Sequence, residues 1–172
     1  MRIAIIGISG SGKTTFAHAL QRATGLPLYH ADQLFWRGSW QPVPADQYLQ
    51  AHSEWVGRNK WIIEGYVDSS LAQRLHGADL IIYLTPPPWV CAGRVVKRWL
   101  AHRKTARPEL PPEALERVSL QFLWVVLSGA ERPSIEAALR RAPKAVVQRL
   151  TTTQDQVDFI HRLVPEVKPP PT

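Results

Sequence analysis

The chain has 172 residues, of which 45% are hydrophobic, and its single cysteine, Cys91, excludes an internal disulfide. No apolar run approaches the roughly 20 residues of a membrane span, and the segment before Gly7 holds too few apolar residues for a signal peptide. The sequence therefore predicts one cytoplasmic domain with a single core, and the net charge of +7 favours anionic partners such as nucleotides, phosphorylated metabolites or nucleic acids.

The first motif is a glycine-rich loop between a predicted strand and a predicted helix. Gly7 to Thr14 reads Gly-Ile-Ser-Gly-Ser-Gly-Lys-Thr, a full match to the phosphate-binding pattern G-x-x-x-x-G-K-[ST]. The apolar run 3–6 predicts a buried parallel strand, and residues 15–24 predict a helix that ends at Gly25. In this order, the loop amides and the helix N-terminus can hold phosphate groups.

The motif also assigns a role to two side chains. Lys13 can reach the β- and γ-phosphates of a nucleoside triphosphate, and the hydroxyl of Thr14 can bind a magnesium ion. The sequence therefore predicts a nucleoside triphosphate site formed by these residues: Gly7, Ser9, Gly10, Ser11, Gly12, Lys13, Thr14 and Thr15.

Beyond the loop, short apolar runs alternate with helical segments. The predicted strands are 27–29, 61–64, 80–84 and 144–150. The predicted helices are 44–58, 69–76, one that begins at the prolines 86–88 and runs to about residue 102, 112–127, 134–141 and 153–163. In the last helix, Thr153 is the predicted cap and Gln156 completes a predicted capping box.

This alternation predicts a three-layer α/β/α fold of the P-loop NTPase type, with a five-stranded parallel sheet and a small helical lid. Its ligand site is expected beyond the carboxyl ends of the strands. We assign residues 1–165 to one kinase-like domain, with the lid and a helical insertion at 94–130, and residues 166–172 to a disordered proline-rich tail.

Other classes of phosphate-loop protein lack their signatures here. No aspartate has a glycine three residues later, and the run Asn59-Lys60-Trp61-Ile62 lacks the aspartate of a guanine site, which argues against a GTPase. The run Leu127-Ser128-Gly129-Ala130 matches a transporter-ATPase signature only in part and indicates the end of a helix instead.

A small kinase needs acidic residues at strand ends near the loop, and arginines on a lid to offset the charge of the transferring phosphoryl group. Asp32 follows the second predicted strand, and Glu64 ends the third. Arg94 and Arg98 are four residues apart and share one helix face. They belong to a basic segment without acidic residues that carries Arg94, Lys97, Arg98, Arg103, Lys104 and Arg107.

Each of these residues also has a purely structural interpretation. Asp32 is a good helix cap, Glu64 can end a strand in solvent, and the basic segment can be a solvated helix face. Trp36, Trp40 and Tyr66 can form an acceptor pocket or serve in ordinary packing. The sequence leaves these alternatives open.

As a set, the motifs resemble the DNA topology modulation proteins, which are adenylate-kinase-like bacterial P-loop proteins. The resemblance spans about residues 1–165 and implies adenine as the base. It also implies that Glu64-Gly65 stands where nucleoside monophosphate kinases carry Asp-Gly, and that Arg94 and Arg98 match the arginine pair at the start of their lid. Relatives often show Asp-Gly-Asn-Tyr where this chain has Glu64-Gly65-Tyr66-Val67. The resemblance rests on the phosphate loop, His30-x-Asp32 with Trp36 and Trp40, Trp61 to Tyr66, Arg94-x-x-Lys97-Arg98, Arg103-Lys104-Thr105-x-Arg107-Pro108, Trp124 and Arg132-Pro133.

The sequence thus predicts a kinase that transfers the γ-phosphate of Mg-ATP to a small acceptor, with nucleotides among the candidates. One alternative is a nucleotide-gated DNA-binding or topology-modulating protein without turnover, in which the basic segment 94–107 would follow the phosphates, and the family name implies an effect on DNA. Another alternative is a slow ATPase. The expected catalytic residues are Lys13, Asp32, Arg94 and Arg98, and the expected metal ligands are Thr14 and Glu64. The expected substrate-binding residues are Asp32, Trp36, Glu64, Tyr66, Arg103 and Arg107.

Overall fold

The computed structural model describes residues 1–38, 40–65, 68–103, 115, 118–142 and 145–164. The strands within these residues are β1 (Arg2–Gly7), β2 (Leu28–His30), β3 (Trp36–Arg37), β4 (Gln41–Pro42), β5 (Trp61–Glu64), β6 (Leu80–Leu84) and β7 (Val146–Leu150). The helices in the same described ranges are α1 (Lys13–Thr24), α2 (Ala31–Phe35), α3 (Ala45–Val56), α4 (Leu71–Gly77), α5 (Pro88–His102), α6 (Leu120–Ser128), α7 (Arg132–Arg141) and α8 (Thr153–Leu163).

Five of the strands form one parallel sheet in the order β2-β5-β1-β6-β7. The central strand β1 is apolar on both faces, because successive side chains of a strand point to opposite sides of the sheet. Ala4 and Ile6 join a core that includes α4, α5 and α7, whereas Ile3 and Ile5 join a second core that includes α1 and α8. The sheet is therefore covered on both faces, and the predicted α/β fold with five parallel strands is confirmed.

The start of one helix and the cap of another differ clearly from the sequence prediction. The helix predicted to begin at residue 112 is α6, which begins at Leu120. The hydroxyl of Ser119 caps it by accepting a hydrogen bond from the backbone N–H of Phe122, so the prediction is wrong for the non-helical residues 115, 118 and 119. The cap predicted at Thr153 is also wrong. Thr152 and Asp155 form the capping box of α8 instead, since the Asp155 carboxylate accepts the Thr152 N–H at 2.8 Å.

The segment between β2 and α3 contains a helix and a hairpin, although the sequence predicts neither a helix nor a strand there. Residues 31–35 form the short helix α2, and β3 and β4 pair as a small antiparallel hairpin. The N–H of Val43 donates to the carbonyl of Phe35 at 2.9 Å and closes this segment. The parts of the predictions that fall on residues 112–114, 116–117, 144 and 165–172 lie outside the described residues. Among the described helices, none has the length and hydropathy needed to cross a membrane.

Candidate active site

The carboxyl ends of the parallel strands surround a cavity of about 1240 Å³. Most of the residues predicted for the site lie on its wall. From the phosphate loop and the start of α1 these are Ser9, Gly10, Gly12, Lys13, Thr14 and Thr15, and from the other elements they are Asp32, Trp36, Glu64, Arg94 and Arg98. The topology thus brings together side chains that are up to 89 residues apart in the sequence, counted from Ser9 to Arg98. This shared cavity is the candidate active site.

The phosphate loop has a backbone that favours glycine at two positions. Gly10 and Gly12 have φ angles of 78° and 96°, in the left-handed region, and the N–H of Ser11 donates to the carbonyl of Ile8 at 3.1 Å. A Cβ atom at Gly10 would also overlap the backbone carbonyl of Cys91 in α5. The loop is therefore a tight turn held closely against α5, which is the cradle that a phosphate group requires.

Lys13 lies across the loop, where its ammonium group donates to the carbonyls of Gly7 at 3.0 Å and Ile8 at 3.1 Å. Burial lowers the pKa of Lys13, and the negative charges of Glu64, Asp32 and Glu131 partly offset this effect. A half-buried amine at the loop is suited to hold the phosphates of a nucleotide, as the motif predicts.

Thr14, Glu64 and His30 form a buried polar chain beside the loop. The hydroxyl of Thr14 donates to Oε1 of Glu64 at 3.2 Å, and Nδ1 of His30 lies 2.6 Å from the same oxygen. Burial opposes ionisation of Glu64, but the His30 hydrogen bond and the charge of Lys13 outweigh it, so the pKa of Glu64 lies below its usual range. Glu64 is only 4% exposed, which excludes the alternative of a solvated strand end.

Thr14 and Glu64 offer two neighbouring hard oxygen atoms, which fit the way magnesium is held in nucleotide sites. Such an ion typically uses one or two protein oxygens together with substrate phosphates and water. Among the described residues, no group of three or more His, Cys, Asp or Glu side chains is placed to hold a metal ion by itself. The two residues therefore suit a magnesium ion that arrives with the nucleotide.

On the side of β2 and β5, the cavity wall combines an acid with aromatic rings. Asp32 lies in the first turn of α2, whose cap is His30, so the interpretation of Asp32 as the cap residue is wrong. Trp36 stands edge-on to Phe35, with ring centroids 4.7 Å apart, and also to Trp40, at 5.3 Å. Together these residues form a polar and aromatic wall that a small molecule can occupy next to the phosphate loop.

The opposite wall is basic and belongs to α5. Arg94 donates from Nη1 to the carbonyl of Ser11 at 3.0 Å and so holds the phosphate loop directly. Arg98 lines the cavity one turn further along, with Lys97 and His102. Arg94 and Arg98 therefore both border the cavity, whereas Arg103 is exposed and lies beyond His102, the last α5 residue that lines it. Tyr66 and Arg107 lie outside the described residues.

Sequence reasoning missed several residues of this site. Glu131, at the corner between α6 and α7, accepts hydrogen bonds from the N–H and the hydroxyl of Ser9, at 2.8 Å and 3.1 Å. No local motif marks this glutamate, because its partner lies 122 residues away in the chain. The cavity is also lined by further residues that the sequence analysis did not select for the site: His18, Phe35, Asp68, Ser69, Ala101, His102, Phe122, Thr153 and Gln156.

Comparison with solved structures finds several kinases of similar fold. A sugar kinase from Janibacter sp. is 21% identical, with a TM-score of 0.55 over 95% of this chain and 92% of its own. Shikimate kinase from Acinetobacter baumannii, in complex with shikimate, is 16% identical, with a TM-score of 0.57 over 97% and 95%. Deoxyadenosine kinase from M. mycoides is 14% identical, with a TM-score of 0.57 over 98% and 100%.

These likenesses, at such low identity, show the fold alone: the chain shares the α/β fold of these kinases. No family model matches the sequence, and a search of curated proteins finds no match. The comparisons therefore do not show membership of the DNA topology modulation family.

Proposed function

We propose that this protein is a kinase that transfers the γ-phosphoryl group of Mg-ATP to a small acceptor. The observation that carries the proposal is the shared cavity, in which the phosphate loop with Lys13 borders both the acidic and aromatic wall and the basic wall of α5. A phosphoryl transferase needs these three features in one place. The phosphate loop binds the donor, the acidic and aromatic wall binds the acceptor, and the basic wall offsets the negative charge of the transferring group.

The sheet order suggests how the two substrates are arranged. The phosphate loop follows the central strand β1, and Asp32, Trp36 and Glu64 lie on the side of β2 and β5. If the γ-phosphate faces this acceptor side, the nucleoside of the donor extends toward β7. Thr153 and Gln156, in the first turn of α8 after β7, line the cavity there and would contact the nucleoside.

In the proposed reaction, the oxygen of an acceptor hydroxyl attacks the γ-phosphorus, and the bond from that phosphorus to the β–γ bridging oxygen breaks. Asp32 accepts the proton of the hydroxyl, and ADP leaves with the bridging oxygen. Lys13, Arg94 and Arg98 offset the negative charge that spreads over the transferring group. Magnesium, held by Thr14 and Glu64 with the phosphates, would supply charge neutralisation at the phosphate oxygens.

The cavity wall also indicates the chemistry of the acceptor. Rings such as Trp36 offer a flat apolar surface, while Lys97 and Arg98 offer positive charge in the same cavity. These features favour an acceptor that carries both a ring and an anionic group, and nucleotides remain among the candidates. The neighbouring kinases act on sugars, shikimate and deoxyadenosine according to their names, so the fold itself permits different acceptors.

The alternative function, nucleotide-gated DNA binding, requires basic side chains on an open surface that can follow a phosphate backbone. Arg94, Lys97 and Arg98 line the cavity beside the phosphate loop instead. Arg94 is further engaged with the Ser11 carbonyl. Their placement favours a role in phosphoryl transfer.

The test is transfer of label from γ-labelled ATP, with magnesium, to a panel of nucleoside monophosphates, nucleosides, sugars and hydroxylated carboxylic acids. Lys13→Ala serves as the blank, and Lys60→Ala, an exposed lysine just before β5, is the matched control. We expect one acceptor class to be labelled by the wild-type protein and by Lys60→Ala, and to lose the label in Lys13→Ala. Nucleotide binding without transfer to any acceptor, combined with DNA affinity that falls steeply with salt, would support the DNA-binding alternative instead.

A further inference from the structure

Glu131 connects the phosphate loop to the corner between α6 and α7. Its carboxylate accepts two hydrogen bonds from one loop residue, through Oε2 from the N–H of Ser9 and through Oε1 from the Ser9 hydroxyl. The residue is only 7% exposed, so these bonds are shielded from water. A buried carboxylate is costly unless it is paired, and here the loop and the nearby charge of Lys13 supply its partners.

The neighbouring residues fix the corner that carries Glu131. Gly129 ends α6 in the left-handed conformation, and Glu131 occupies the cap position of α7. Next to it, Arg132 donates from Nη2 to the carbonyl of Pro86 at 2.7 Å. Ile135, one turn into α7, is fully buried in the core. Two adjacent side chains therefore hold the α6–α7 corner to two different strand ends, namely those of β1 and β6.

We propose that Glu131 is a positioning residue for the phosphate loop, which sets the conformation of Ser9 and links nucleotide binding to the placement of the α6–α7 corner. The inference rests on the proposed nucleotide-binding function. Two observations support it. Both carboxylate oxygens of Glu131 accept hydrogen bonds from Ser9, and Glu131 lies 122 residues from Ser9 in the chain. This glutamate holds the loop at Ser9 before any nucleotide binds, just as Arg94 holds it at Ser11.

Two substitutions distinguish the effect of the hydrogen bonds of Glu131 from the effect of its negative charge. In Glu131→Gln, the side-chain oxygen can still accept the Ser9 N–H, and the amide nitrogen can donate to the Ser9 hydroxyl. Both contacts therefore persist while the negative charge is lost. In Glu131→Ala, both contacts are lost. A positioning role predicts that glutamine preserves function and alanine does not.

The experiment measures the affinity for Mg-ATP by calorimetry, together with hydrogen exchange at residues 129–135 with and without nucleotide. We expect Glu131→Ala to bind about tenfold more weakly, since two hydrogen bonds to a charged group are lost. At saturating nucleotide, we expect it to lose the nucleotide-dependent protection of residues 129–135. Glu131→Gln should bind within about threefold of the wild type, because its contacts are retained. Glu136→Ala is the matched control, as Glu136 lies on α7 but pairs with Arg149 at the surface.

Several results would overturn the inference. If wild type and Lys13→Ala differ in Mg-ATP binding but Glu131→Ala binds as the wild type does, the proposed function stands and the positioning role fails. The same holds if Glu131→Gln binds as weakly as Glu131→Ala. Should Glu131→Ala not fold, Ser9→Ala removes one of the two bonds, and wild-type affinity in that variant would also count against the role. Failure of the wild type to bind any nucleotide would refute the proposed function itself.

Discussion

The hydroxyl of Thr14 and the carboxylate of Glu64 are joined by a hydrogen bond of 3.2 Å, although 50 residues separate them in the chain. The same carboxylate oxygen lies 2.6 Å from Nδ1 of His30. Because β1, β2 and β5 are neighbours in the sheet, their carboxyl ends bring the three residues together. Glu64 therefore has a fixed orientation beside the phosphate loop before any nucleotide binds.

The first prediction concerns this carboxylate. Glu64→Gln keeps the size of the side chain but removes the charge that a magnesium ion favours. We expect the Mg-dependent gain in ATP affinity to fall by about tenfold, while binding of ATP without magnesium changes little. Calorimetric titrations at several magnesium concentrations would measure both quantities.

Asp79→Asn provides the control for Glu64→Gln. Asp79 precedes β6 at the opposite end of the sheet, where its carboxylate pairs with Arg2 at 2.6 Å. We expect this variant to retain the full response to magnesium. An equal loss in both variants, or none in Glu64→Gln, would contradict the assignment of Glu64.

The second prediction concerns the backbone of the phosphate loop. Gly10 and Gly25 have similar left-handed φ angles of 78° and 69°. A Cβ atom at Gly10 would overlap the Cys91 carbonyl, whereas a Cβ atom at Gly25 meets open space. Gly25→Ala should therefore cost about 1–2 kcal/mol of unfolding free energy, which is the conformational penalty alone. We expect Gly10→Ala to cost at least twice as much, and urea unfolding of both variants would test this difference.

Much of the fold and the centre of the site could be predicted because the signals are local. The apolar strands β1, β5 and β6 are contiguous runs, and the order of strand, glycine-rich loop and helix fixes where Lys13 and Thr14 lie. Asp32 and Glu64 follow strands, and parallel strands end at the same edge of the sheet. The helical spacing of Arg94 and Arg98 placed both on one face of α5, toward the cavity.

What could not be predicted depends on distant contacts or on a shift of one residue. Glu131 has its partner 122 residues away, and nothing near it in the sequence indicates a loop contact. The capping box of α8 uses Thr152 rather than Thr153, since both threonines suit a cap and only the backbone geometry decides between them. Thr153 and Gln156, which the sequence predicts as capping residues, border the cavity instead.

The third prediction follows from the position of Gln156. An amide can pair with adenine through one donor and one acceptor, whereas a carboxylate only accepts and suits the two N–H donors of guanine. If the donor base lies against α8, Gln156→Glu should weaken ATP binding and shift the ATP-to-GTP preference toward GTP by about tenfold. Competition between the two nucleotides for the site would report the ratio.

The control for Gln156 is another glutamine of the same helix. Gln154 donates to Asp158 at 2.8 Å on the exposed side of α8, so Gln154→Glu changes the charge of the helix equally. We expect no change in base preference for this variant. A similar shift in both variants would indicate a general charge effect, and no shift in either would place the base elsewhere.

The fourth prediction concerns a buried histidine of α3. His52 is fully buried, and its Nδ1 lies 3.0 Å from Oε1 of Gln73, which must accept the hydrogen bond. The other ring nitrogen, Nε2, has no hydrogen-bond partner within the part of the chain that is described. Burial lowers the pKa of His52 below its ordinary value of 6.5, and the charge of Arg74 acts in the same direction. The folded protein therefore resists protonation of His52 more than the unfolded chain does.

The sign of the pH effect follows from these facts. Above pH 6.5 the histidine is neutral in both the folded and the unfolded chain, so its contribution to stability is fully present. As the pH falls below this value, the unfolded chain binds a proton that the folded chain resists, and stability decreases by up to about 1.4 kcal/mol per pH unit until the folded pKa is reached. His52→Asn keeps a donor toward Gln73 but cannot titrate. Urea unfolding at pH 7.5 and 5.5 should therefore show a smaller loss of stability for this variant than for the wild type. His76→Asn, which alters an exposed histidine on α4, should lose as much as the wild type, and equal losses in all three proteins would show that His52 does not resist protonation.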